Sequence, residues 1–100
     1  MTFKQKQELL AEENKDALFA NGFEEALVGV CRRFGQPPIA LYDYDRCIEI
    51  LQRDMSYEEA IEYFEFNTIG AWVGENTPAF VSLFKEEENV KEDSKQEESV

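Results

Sequence analysis

Residues 43–70 carry two amphipathic helix patterns set back to back, with hardly a residue between them. Asp43 suits an N-cap. Behind it Tyr44, Cys47, Ile48, Leu51 and Met55 recur at helical spacing, while Arg46 and Glu49 fall off that face. The spacing predicts a helix over about residues 44–53. Ser56 with Glu59 three positions on is a capping box, and Met55 is the apolar residue ahead of the cap. A second helix therefore starts at once, buries Tyr57, Ala60, Ile61, Phe64 and Thr68, and stops at Gly70. Helices joined this tightly must turn sharply against each other, and their apolar stripes need a shared layer to pack on.

The rest of the chain supplies that layer. Residues 26–42, ALVGVCRRFGQPPIALY, allow two readings. Phe23, Ala26, Leu27, Val30 and Phe34 match helical spacing, which gives a short helix stopped by Gly35. The preferred reading takes LVGVC and IALY as strands joined around residues 33–38, where Gly35 and two prolines make the turn. Upstream, residues 2–19 are rich in helix formers, with a thin seam of Phe3, Leu10 and Ala17, and Asn21-Gly22 is the expected stop. Downstream of Gly70, AWVG and AFVSLF flank a turn over residues 75–78 and predict a second hairpin. The expected fold is α+β: a small antiparallel sheet of about three or four short strands packed by two central helices, with an amino-terminal helix. One globular domain is expected over residues 1–84 and a disordered acidic tail over 85–100.

Charge narrows the partners. The net charge is −12, with 15 acids and 7 bases over residues 1–84 and 7 against 3 over residues 85–100. Residues 43–75 alone hold 9 acids against Arg46 and Arg53, so the helical pair is the acidic face. Direct binding to nucleic acid or to an anionic membrane would be repelled, and a charged partner should be basic. No apolar run approaches the roughly 20 residues of a membrane span. The start, MTFKQKQELLAEENK, lacks the apolar stretch of a signal peptide, so a cytoplasmic location is expected. Cys31 and Cys47 are expected to be reduced and to serve as small buried apolar groups. Histidine is absent, which excludes Ser-His-Asp and Cys-His catalysis, histidine-ligated zinc and imidazole switching.

The stretch YDYDRCIEILQRDMSYEEAIEYFEFNTIGAWVGENTPAFV, within residues 41–81, resembles a family of small uncharacterised proteins of bacteriophage and bacterial genomes. The runs EYFEFN and GAWVGENTP carry the resemblance over about two fifths of the chain. One departure is the inter-helix loop, where the family pattern reads Arg-Asp-Gly-Met and this chain has Arg53-Asp54-Met55 without the glycine. The resemblance implies a small α+β protein of phage or prophage origin. It implies no activity and carries no functional residue.

Candidate chemistry competes with ordinary structural roles. Tyr42-Asp43-Tyr44-Asp45 could offer two carboxylates to a hard cation, with Glu49 or Glu75 completing the shell. Capping by Asp43 and dipole compensation by Asp45 explain the same residues more simply. GAWVG lacks the G-x-x-x-x-G-K pattern of a phosphate loop, and Arg32-Arg33 reads as a surface turn facing acidic helices. Glu58, Glu62 and Glu65 share a helix face and, with Asp54 and the tail, could imitate a DNA backbone; an acidic protein also fills any polar face with glutamate. Within FEFNTIGAWVGENTPAF, Phe64 and Phe80 are expected in the core and Phe66 on the helix flank, while Trp72 either closes the interior or anchors a partner.

The expected function is a non-catalytic protein-binding module without metal or cofactor. Its partner is a protein of basic character on a surface of Trp72, Phe66, Glu58, Glu62, Glu65 and Glu75, with self-association through a strand edge or Trp72 beside it. A DNA-mimic inhibitor acting through the glutamate row is one alternative. A small carboxylate or metal-dependent enzyme is the other, and would require Asp43 or Asp45 to be free of capping.

Overall fold

The computed structural model describes residues 1–86; the expected tail from residue 87 onward lies outside the described residues. In chain order the elements are α1 (Phe3–Glu13), a 3-10 turn (Glu24–Ala26), β1 (Leu27–Cys31), β2 (Ile39–Asp43), α2 (Tyr44–Leu51), α3 (Tyr57–Phe64), a π turn (Glu65–Ile69) and β3 (Ala79–Val81). The strands form one sheet in the order β1-β2-β3, so the fold is α+β as expected.

The helical pair follows its local signals. The Asp43 side chain accepts from Arg46 N–H to cap α2, and Ser56 and Glu59 exchange side-chain and backbone bonds in a complete capping box on α3. Cys47 and Ile48 of α2 and Ala60 and Phe64 of α3 are buried together with Ala40 and Tyr42 of β2. Ala40 and Tyr42 are two apart on the strand and so share a sheet face. Phe64 is the hub, its ring centroid 5.2 Å from Phe23, 5.5 Å from Tyr44 and 5.1 Å from Phe80, each at an edge-to-face angle. One member of the expected stripe departs: Tyr57, the first residue of α3, is 56% exposed.

Strands β1 and β2 pair antiparallel, Leu27 opposite Tyr42 and Cys31 opposite Ile39, so the two-strand reading of this region holds and the helical one does not. Gly35 turns the connection at φ +72, a conformation that costs glycine little. A bulge between Leu27 and Gly29 lets Val28 point outward.

Two expectations are corrected. Helix α1 ends at Glu13 and not near residue 19, because Asn14 leaves the helix to donate from Nδ2 to Pro38 O at 2.9 Å and to Asn76 Oδ1 at 2.9 Å. The seam survives, since Phe3 and Ala17 still pack on the core that buries Leu10. The second hairpin is absent among the described residues: residues 71–74 form no strand, and β3 pairs parallel with β2, Leu41 opposite Ala79 and Asp43 opposite Val81. One of the sheet's pairings is thus parallel. The long excursion through α2 and α3 brings the chain back beside β2 in the same direction, which a tight hairpin cannot do.

Candidate functional site

The stretch that leaves α3 governs the surface. After Phe64 the chain widens into a π turn, closed by Gly70 N–H donating to Glu65 O at 2.9 Å. Gly70 permits the closure: a Cβ there would meet Glu65 O at 3.0 Å and Phe66 O at 3.2 Å. Phe66 faces outward, 77% exposed, two residues after the fully buried Phe64. Such insertions in helices recur at functional sites.

Beyond Gly70 the backbone is secured without a sheet. Val73 N–H donates to Thr77 Oγ1 at 3.0 Å, and Thr77 N–H donates to Gly74 O at 3.1 Å. Arg33 Nη2 reaches across from the β1–β2 turn to Pro37 O at 3.1 Å and Glu75 O at 2.9 Å. Leu18 N–H donates to Asn76 O at 3.2 Å. With its polar groups satisfied in this way, the loop carries Trp72 and Val73 on its outer side, 68% and 66% exposed. Trp72 therefore does not close the interior; Phe64, Tyr42 and Phe80 do.

An open groove of about 610 Å³ runs along the outer face of α3, lined by Asp54, Met55, Glu59, Glu62, Tyr63, Phe66 and Asn67. Residues 59, 62, 63 and 66 follow i, i+3, i+4, i+7 spacing, so one helical face presents carboxylates and aromatic rings side by side. Of the expected surface residues, Glu62 and Phe66 meet in this groove. Glu58 is exposed outside it, and Glu65 accepts a hydrogen bond from Tyr44 Oη at 3.1 Å. Glu75 is exposed as well, with its carbonyl committed to Arg33. Sequence reasoning passed over Tyr63 in the groove, although its spacing from Glu59 and Phe66 was the available signal.

The remaining candidates have structural duties. Arg32 holds Glu13 through both guanidinium ends, and that bond keeps the Glu13 carboxyl below its ordinary range. Arg53 grips Glu25 at 2.9 and 3.1 Å, with the same consequence for Glu25. Asp43 is committed to its cap, and Asp45 lies 4.0 Å from Lys85 Nζ. Among the described residues no three Asp, Glu, Cys or His side chains group in a way that would hold a metal ion. Both cysteines are free thiols, and burial pushes Cys47 up to about 12, which leaves it an unreactive apolar group at neutral pH. No described helix is long and apolar enough to cross a membrane. Comparison with protein-family models, curated proteins and solved structures finds no match to this chain.

Proposed function

We propose that the chain is a non-catalytic protein-binding module that docks through the outer face of α3 and the loop that follows it. The observation that carries this reading is the outward placement of Phe66 and Trp72 on a backbone held by its own hydrogen bonds. Large aromatics presented on a pre-set surface are the usual anchors of an interface, because little ordering entropy is lost on docking. The acidity of the same region selects a basic protein. The phage-like resemblance of residues 41–81 points to a protein of the host cell as the target, met in the cytoplasm.

Immobilised chain exposed to a bacterial lysate tests the reading. Wild type should retain a protein at moderate salt, and a Phe66→Ala, Trp72→Ala double variant should lose it while keeping its fold. A double variant that captures the same protein as well as wild type would overturn the proposal. A second reading, imitation of a DNA backbone, is favoured by the exposure of Glu58, Glu62 and Glu65 along one face. It predicts capture that collapses as salt rises and ignores the aromatic substitutions.

A further inference from the structure

The α3 groove has a composition that selects its occupant. Every charged residue lining it is an acid: Asp54, Glu59 and Glu62. Among the described residues none of these three carboxylates has an ion-pair partner. The adjacent cation, Arg53, spends both terminal nitrogens on Glu25 and reaches Asp54 only through the longer-range attraction of its charge. Glu59 is held in place by its own helix cap, with Oε1 accepting from Ser56 N–H at 3.0 Å. Tyr63 and Phe66 line the same space, so negative charge and aromatic rings are offered together.

Resting on the protein-docking reading, we infer that this groove receives a helix of the partner that carries arginines one turn apart. Arginine fits better than lysine on three counts. Its planar guanidinium stacks on an aromatic face, its fork of donors answers a carboxylate with two parallel bonds, and its weaker hydration lowers the cost of entry. The groove is open, at about 610 Å³, and its lining at 59, 62, 63 and 66 spans two turns of helix, which suits a helix face better than a single free side chain. A helix that docks in a groove presents its contact residues one turn apart, at i and i+3 or i+4.

A labelled helical peptide with two arginines one turn apart, titrated into the full chain, tests the inference against the same peptide carrying citrulline, the neutral isostere. The arginine peptide should bind at least about tenfold more tightly, with a lysine version between the two. Glu62→Gln and Phe66→Ala should each weaken it by about five- to tenfold, and Glu12→Gln on α1 should leave it unchanged. Both groove positions are exposed, so the variants are expected to fold, and a circular dichroism melt checks that they do. Equal binding of the arginine and citrulline peptides would overturn the inference. So would Glu12→Gln and Glu62→Gln losses of the same size, which would reduce the effect to overall charge. If Trp72 still governs capture of a cellular protein while the groove shows no arginine preference, the docking reading stands and this inference falls. Arginine-selective binding with no Trp72-dependent capture would uphold the groove and count against the docking reading.

Discussion

The β1–β2 hairpin and the stretch over residues 65–78 are held by opposite means. In the hairpin, backbone pairs with backbone along a ladder, and Ala40 and Tyr42 turn their side chains from one face into the core. In the later stretch the backbone is satisfied by a π turn, a threonine hydroxyl, the Leu18 N–H and the Arg33 guanidinium, and Phe66, Trp72 and Val73 face water. A ladder leaves one sheet face for the core and so commits half of its residues to burial. Local and side-chain bonds make no such demand. They fix the main chain and leave the aromatics free for display, which is what a docking surface requires.

The comparison is broken most directly at the two phenylalanines that mark its boundary. Phe64→Ala should cost about 3 to 5 kcal/mol in urea unfolding, since it removes the ring on which three others converge. Phe66→Ala should fall within about 0.5 kcal/mol of wild type. Equal costs would mean that Phe66 is part of the core. Arg33→Ala should cost about 2 kcal/mol by leaving the Pro37 and Glu75 carbonyls without their charged donor. It should also lower the fluorescence anisotropy of Trp72, and an unchanged anisotropy would show that the loop holds itself.

Alkaline pH probes the buried side of the boundary. The Cys47 thiol is raised by burial from 9.0 to about 12, so its contribution is fully present below pH 9 and is lost as pH rises toward 12. Stability should fall by up to about 1.4 kcal/mol per pH unit in that window. Cys47→Ala should flatten the fall, with the remaining slope reporting Tyr42 and Tyr44, which burial also raises. A slope unaffected by the substitution would contradict the placement of Cys47. Asp43→Ala should cost less than any of the core changes, about 1 kcal/mol from the lost cap. A change in binding or activity without that loss of stability would reopen a chemical role for Asp43.

What could be read in advance was what is local. The caps at Asp43 and Ser56, the stripes they introduce and the turn at Gly35 depend on residues within a few positions of one another, and apart from Tyr57 each is where its pattern places it. The errors are non-local. Nothing near Asn14 announces that its side chain will be taken by Pro38 and Asn76, and that capture ends α1. Residues 71–81 alternate like a hairpin, but alternation does not name a partner strand, and β3 found β2 instead. The surface was legible in part for the same reason. Phe66 and Glu62 could be placed on the outer flank by helical spacing, whereas the exposure of Trp72 depended on how Phe64 and Phe80 had already filled the interior.

Arg33 grips the carbonyl of Glu75 and not its carboxylate. A carbonyl is the same in every amino acid, so the anchorage is indifferent to whichever side chain occupies position 75. That site can change sign, size or polarity while its neighbours stay where they are, and the protein thereby holds one freely exchangeable letter close in the chain to the exposed Trp72. Selection could retune what docks there without renegotiating the fold.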